Sequence, residues 1–407
     1  MPNEDFINLF HNSIIIHKMS GKRMSVLNIF AIFTIVVANI YSFPIKYTIG
    51  IDVFLLLVTC SICRGVRGDS EIKSILKLLV FLLFYTLVVC IVNMSFSSYS
   101  IGKPLRLLFA CLFFFAISKK IYLYSQKEFE YGIIGGLGIH LASIYIQFFK
   151  PETKMLFYSF LDTEKEDITN YALRSFGLCS SFDAAGLYLC VLIVLLWIIF
   201  KREKKFIYLF FSFITLVGCF LVSRTSMIVS SVFFILLLFS LMKNNRKHFF
   251  IATTLVVIGV FYTWNYAGVI LQAIDIEQSY RPESQQYLTG EMIFLPSSIV
   301  ETIIGTGENA HNSDIGYVKI IYMIGLFGLC TVLLLYWKTI KQIRYCKKII
   351  PDMYQFMVLF LLLLFLFNYK LLLLYSRGIN DLYFLLIFVL LRKQQMYAYE
   401  NNKTCNI

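Results

Sequence analysis

The chain alternates long apolar runs with short polar connections. Runs near 25–41, 47–63, 74–94, 104–118, 131–149, 182–200, 205–222, 225–242, 248–267, 314–337, 353–375 and 379–391 each predict a membrane-spanning helix. The second, fourth and twelfth are short for a hydrocarbon layer of about 30 Å. Lys18, Lys22 and Arg23 precede the first run as they would in a secretory signal. No small-residue cleavage site follows it, so it is expected to stay as an uncleaved first helix. The pattern predicts an all-α polytopic integral membrane protein, a single domain over residues 1–407 with about twelve transmembrane helices.

Two polar stretches interrupt this regularity, at about 150–181 and 268–313. Long connections in a compact membrane protein are functional or disordered. The second mixes aromatic, aliphatic and polar residues, as in "VILQAIDIEQSYRPESQQYLTGEMIFLPSSIVETIIG". That composition suits amphipathic helices lying on a membrane or over a cavity, so the two loops are expected to form an ordered cap. No internal repeat is evident, which disfavours transporters built from duplicated halves.

Composition fits the membrane class: 58% of the residues are hydrophobic and 15% charged. The formal charge of +13 is a topology signal. With the N-terminus inside, 25 of the 37 Lys and Arg residues fall on inner segments, at least three in each. That is the positive-inside pattern and predicts both termini in the cytoplasm, with a large late loop outside. Basic residues scattered over short inner loops do not make a nucleic-acid surface, so no nucleic-acid partner is expected. Of the ten cysteines only Cys179 falls near the outer face, so no outer disulfide pair is expected. Cys60 and Cys63 have metal-like spacing without a second pair and read as small buried hydrophobes.

The outer basic residues are exceptions to the charge rule. Lys103 and Arg106 open the fourth span. Arg174 stands in "LRSFGLCSSFDAAG", Arg224 in "VSRTSM" and Arg377 in "YSRGIND". Each precedes or opens a helix that runs inward from the outer face, so free N–H groups and the positive dipole end lie beside it. Ser181, Ser223 and Thr225 can cap such ends. Arginine beside helix N-termini suits phosphate. Two other readings of these arginines stay open: interfacial anchors that snorkel to headgroups, or, for Arg174, a pair with Asp183 or with the acids of "DTEKED".

"GTGENAHNSDIGYVKIIYMIGLFG" places His311 just before the tenth span. Asn312 or Ser313 can cap that helix, Gly305 and Gly307 permit a tight turn, and Gly325 and Gly328 permit close packing. A purely structural, hydrogen-bonding His311 is the alternative. Asn380 and Asp381 read as caps. Lys319 and Lys370 fall inside apolar runs and need a partner or a water-filled cavity.

"RSFGLCSSFDAAGLYL", "FLVSRTSMIVSSVFFILLL" and the His311 segment resemble, in order and spacing, motifs of the Wzy and O-antigen ligase superfamily, bacterial inner-membrane polymerases and ligases acting on lipid-linked glycans. The likeness extends to the number of spans, both ends inside and a large late outer loop. Related sequences often carry Pro-Asn where this chain has Phe182-Asp183. The resemblance implies a GT-C-like membrane glycosyltransferase architecture in the bacterial inner membrane. It implies transfer of a growing glycan from undecaprenyl pyrophosphate to a sugar hydroxyl of an incoming lipid-linked repeat unit. His311, Arg174 and Arg224 would be catalytic: the arginines on pyrophosphate, His311 orienting or deprotonating the acceptor. Arg377, Asn312, Asp314, Arg281 and Glu308 would bind substrate, and Glu308 is an alternative base. No cofactor or metal is implied. The partners would be the undecaprenyl-pyrophosphate-linked oligosaccharide, the bilayer and a chain-length regulator membrane protein.

Three other functions stay open on the residues. A ligase would pass the same donor to lipid A core. A metal-dependent transferase wants an acid cluster in the first outer loop, where "YSFPIKYTIGID" offers only Asp52. A lipid-linked-glycan flippase should show two similar halves and lack the large outer loop.

Overall fold

A chain in hydrocarbon must satisfy its backbone polar groups internally, and a helix does so within one segment. The computed structural model describes residues 24–40, 70–96, 98–161, 174–179, 181–244, 250, 253–254, 292–310, 313, 315–370, 372–376 and 378–404. Among the described residues there are helices and no strand. They are α1 (Val26–Ile40), α2 (Ser70–Val92), α3 (Ser98–Ile121), α4 (Gln126–Phe149), α5 (Thr153–Leu161), α6 (Phe182–Glu203), α7 (Phe206–Phe220), α8 (Arg224–Asn244), α9 (Ile299–Ile304), α10 (Gly316–Gln342), α11 (Cys346–Ile349), α12 (Pro351–Phe367) and α13 (Ile379–Thr404). Six of them, α2, α3, α4, α6, α8 and α10, contain stretches long and apolar enough to cross a membrane. The protein is therefore an all-α membrane protein. The expected span 47–63 and most of 248–267 lie outside the described residues, as does most of the late loop.

Two helices organise the packing. α6 packs against α4, α7, α8 and α12. α13 packs against α3, α12, α11, α10 and α1, and every residue from Ile379 to Leu391 is buried. A helix apolar on all sides is a core helix, which is why neither shows a polar stripe.

One end of the bundle is tied by polar contacts. Arg202, at the end of α6, donates to both carboxylate oxygens of Glu130 at 2.7 and 2.5 Å and reaches Asp352 of α12 at 3.4 Å. Glu128 completes a capping box with Ser125 at the start of α4 and also accepts from the Ser25 N–H ahead of α1, at 2.6 Å. Lys393 of α13 donates to the Tyr124 carbonyl at 2.8 Å, and Gln342 of α10 to Ser74 of α2 at 2.7 Å. α6, α8 and α10 therefore begin at the opposite end, where α2 and α4 finish.

Two helices depart from the hydropathy pattern. α10 is broken at Gly325, whose φ of 65° and ψ of −179° lie outside the helical region. The break lets another stretch of backbone approach: a Cβ at Gly325 would overlap the Ile303 carbonyl. The second departure concerns the expected span 353–375. α12 ends at Phe367, and residues 372–376 are non-helical yet almost wholly buried. Buried non-helical backbone needs partners, and side chains supply them. Asn368 Oδ1 accepts from the N–H groups of Leu373 and Leu374 at 2.9 and 3.0 Å. Asn380 Nδ2 donates to the carbonyls of Ser376 and Leu374 at 2.8 and 3.1 Å, and Tyr336 donates to Asn380 Oδ1 at 2.6 Å. Asn380 thus anchors the preceding strand of chain, while Asp381 accepts from the Gly378 N–H at 3.1 Å as a cap.

This explains the shortness of the twelfth apolar run. Phe388 of α13 meets Phe115 of α3, ring centroids 5.5 Å apart. Counting back at 1.5 Å per residue starts α13 roughly 12 Å deeper than α3. The helix needs fewer apolar residues because coiled, satisfied backbone fills the remaining depth.

Replacing Asn380 by Leu should orphan buried carbonyls and cost about 1–3 kcal/mol. Reversible unfolding in mixed detergent should move to a lower denaturant fraction. An unchanged midpoint would show that the 368–378 segment does not depend on this side chain.

Candidate functional site

The segment around Arg174, which hydropathy assigns to an outer loop, is a plug between helices. Residues 175–179 are buried. Gln147, in the last turn of α4, accepts at Oε1 from the Phe176 and Gly177 N–H groups at 3.0 and 2.9 Å and donates from Nε2 to the Gly177 carbonyl at 2.7 Å. His140, two turns earlier, accepts at Nδ1 from the Leu178 N–H at 3.1 Å. Its Nε2 then carries the hydrogen and donates to the Ala185 carbonyl at 3.2 Å. The Ser175 N–H donates to the Leu221 carbonyl at 2.9 Å. Phe176 packs against Phe157 of α5 and Phe182 of α6. Burial pushes the Cys179 thiol up. Burial also lowers Lys154 of α5 to about 8.

These contacts bring two of the three sequence motifs together. Ser175 touches Leu221, so the backbone bearing Arg174 lies against the turn that leads into Arg224. Ser181 caps α6, accepting from the Ala184 N–H. Ser223 caps α8, accepting from the Ser226 N–H at 3.2 Å, and Ser226 donates back to the Ser223 carbonyl at 2.8 Å. The two helices start side by side: a Cβ at Gly186 would overlap the Ser226 side chain, so the glycine sets the approach. Arg224 is the first residue of α8. The Arg174 guanidinium lies over the ring of Phe182, the first residue of α6, 5.8 Å from its centroid.

The acids of "DTEKED", left open by the sequence as partners of Arg174, lie outside the described residues. Asp183 Oδ1 is buried without a hydrogen bond, while the guanidinium rests on the aromatic face. Two arginines therefore flank two adjacent, parallel helix N-termini. Each N-terminus adds free N–H groups and a positive dipole end, an arrangement suited to a multiply charged anion.

The third motif forms a separate structure. The short helix α9 leads into Gly305 and Gly307, which hold φ of 99° and 75°, as the expected tight turn requires. The break at Gly325 frees the Tyr322 carbonyl, which accepts from the Thr306 N–H at 2.7 Å and from its hydroxyl at 3.0 Å. Asn93 and Ser95, at the end of α2, donate to the carbonyls of Gly305 and Thr306 at 3.1 and 2.9 Å. Ser100 of α3 donates to the Gly307 carbonyl at 2.7 Å. Glu308 follows this turn, exposed, its N–H on the Thr306 hydroxyl at 3.3 Å. Ser313 does not cap α10 as expected. Its hydroxyl takes the Ile315 N–H at 3.1 Å and donates to the Met292 carbonyl at 2.9 Å, and the N-cap position is Ile315, without a side-chain cap. His311, Asn312, Asp314, Arg281 and Arg377 lie outside the described residues.

Sequence reasoning missed His140, Gln147 and the buried oxygen of Asp183. A signal for the first two was present: they are the polar residues seven positions apart in an apolar run, hence on one helix face. No protein-family model matches this chain, and the curated proteins contain no match.

Gln147→Leu keeps the volume and removes three hydrogen bonds from the plug. The amides of Phe176 and Gly177 should exchange hydrogen faster by one to two orders of magnitude, consistent with a loss of about 1–3 kcal/mol. Exchange at the native rate would mean that other contacts hold the segment.

Proposed function

We propose that the protein is a Wzy-type polymerase of the bacterial inner membrane, with about twelve spans, both termini in the cytoplasm and a GT-C-like architecture. It transfers a growing glycan from undecaprenyl pyrophosphate to a hydroxyl of an incoming lipid-linked repeat unit. The observation that carries this reading is the placement of Arg174 and Arg224 at the adjacent N-termini of α6 and α8.

In the proposed step the acceptor oxygen forms a bond to the anomeric carbon. The bond from that carbon to pyrophosphate breaks, and undecaprenyl pyrophosphate leaves with the electron pair. Negative charge grows on the leaving group, where preorganised donors contribute most. Arg174, Arg224 and the first-turn N–H groups supply such donors. The proton of the hydroxyl passes to His311, whose ordinary pKa of about 6.5 suits a base near neutrality. Glu308, on the exposed turn beside α2 and α3, is the alternative base.

Deletion of the gene tests the reaction class. A polymerase mutant attaches one repeat unit to lipid A core; a ligase mutant attaches none. A normal polysaccharide ladder would contradict both. In the complemented strain, Arg174→Ala or Arg224→Ala should lower transfer on the order of 10²-fold at equal protein level. Lys should restore part of it, keeping charge without the planar fork. Native activity in the Ala variants would return both arginines to headgroup anchors. His311→Gln should lose on the order of 10²-fold in rate while still binding donor. Polymerisation at the native rate would assign the base elsewhere.

A further inference from the structure

A glycosyl pyrophosphate has two kinds of polar group. The pyrophosphate offers acceptor oxygens and negative charge, which suit the arginines at the mouths of α6 and α8. The sugar joined to it offers hydroxyl groups, and a hydroxyl can donate a hydrogen bond. A carboxylate beside the arginine pair is repelled by the first and can bind the second.

Asp183 stands at that place. It is the second residue of α6. Gly186, one turn further in, faces α8, because a Cβ there would meet the side chains of Ser226 and Ser223. Residues three apart share a helix face, so Asp183 is turned toward the start of α8, where Arg224 is the first residue. The two helices are in direct contact. The ring of Phe182, the residue before Asp183, carries the Arg174 guanidinium.

Two oxygens at this place lack a hydrogen bond among the described residues. Asp183 is partly buried, and its Oδ1 is sealed from solvent with no donor. Ser175 is wholly buried, and its hydroxyl is also without a partner. Ser175 lies in the same crevice. Its N–H is on the Leu221 carbonyl ahead of α8, and its neighbours Arg174 and Phe176 both meet Phe182. A carboxylate oxygen removed from water without a donor is costly, more so than a neutral oxygen. An acid in the first turn of a helix gains from the dipole. That gain accounts for the charge at position 183, but not for an oxygen held away from every donor.

We infer that Asp183, with Ser175 behind it, binds hydroxyl groups of the sugar attached to the donor pyrophosphate, and so selects that sugar. The inference rests on the polymerase reading. Rotation of the short, partly exposed Asp183 side chain presents its carboxylate to the mouth. The sugar then supplies the donors that pyrophosphate lacks. A hydroxyl must point at the carboxylate, so the stereochemistry of that sugar decides the fit. The arginines hold the leaving group, while Asp183 and Ser175 hold the ring whose anomeric carbon is attacked.

The test uses the full chain in nanodiscs and two lipids. One is undecaprenyl pyrophosphate, which has no sugar. The other is the lipid-linked repeat unit purified from the deletion strain. Native mass spectrometry reads both affinities, and binding at this site is the part that Arg174→Ala removes. Asp183→Ala should weaken the glycosylated lipid about tenfold or more. It should leave the sugar-free lipid bound as tightly as in wild type or more tightly, since a repelling charge is gone; this retained binding also shows that the variant folds. Asp183→Asn keeps an acceptor oxygen and should recover part of the loss. If Asp183→Ala fails to fold, the same comparison is made with Asp183→Asn, where a loss for the glycosylated lipid alone is expected. Unchanged affinity for the glycosylated lipid, or one shift shared by both lipids, would overturn the inference and leave the polymerase reading standing. Failure of wild type to bind either lipid would overturn both.

Discussion

Among the described residues, the buried departures from helix obey one requirement: backbone N–H and C=O groups removed from water must find partners inside the chain. The plug at 174–179 finds them on Gln147 and His140. The turn at 305–307 finds them on Asn93, Ser95, Ser100 and the carbonyl released by the break at Gly325. The coil after α12 finds them on Asn368 and Asn380. An unsatisfied group in hydrocarbon costs several kcal/mol, so these few polar side chains decide where irregular backbone can exist.

The candidate anion site follows from that requirement. The plug leans on α4 and touches the α7–α8 turn, and this contact brings Arg174 toward Arg224. The hub helix α6 offers its N-terminus at the same point, and Gly186 lets α8 begin beside it. The Gly305–Gly307 turn is held from both sides by Ser100 of α3 and the Tyr322 carbonyl of α10. The opposite end of the bundle has a different character. There Arg202 pairs with Glu130 and Asp352 and fastens three helices, which is a structural use of charge.

Much of the fold was legible in the sequence because hydropathy over some twenty residues is a strong signal. The run at 182–200 became α6, Phe182–Glu203, and the run at 131–149 became α4, Gln126–Phe149. The break at Gly325 and the end of α12 at Phe367 were not legible. Leu372, Leu373 and Leu374 are as apolar as any helical residue, and a hydropathy window cannot see that Asn368 and Asn380 satisfy their backbone. At the site, the sequence supplied the arginines and the serine caps, since N-cap chemistry is local. It left Arg174 free to choose between Asp183 and other partners, because a contact across the α6 mouth depends on how the plug is held. That is set by His140 and Gln147 in another helix.

The central claim is that pyrophosphate is held where α6 and α8 begin. The most direct measurement is photo-crosslinking with an undecaprenyl pyrophosphate analogue that carries its reactive group beside the diphosphate, mapped by peptide mass spectrometry. The account predicts adducts within residues 174–183 and 221–226. Adducts confined to other segments, with none in those two, would contradict it.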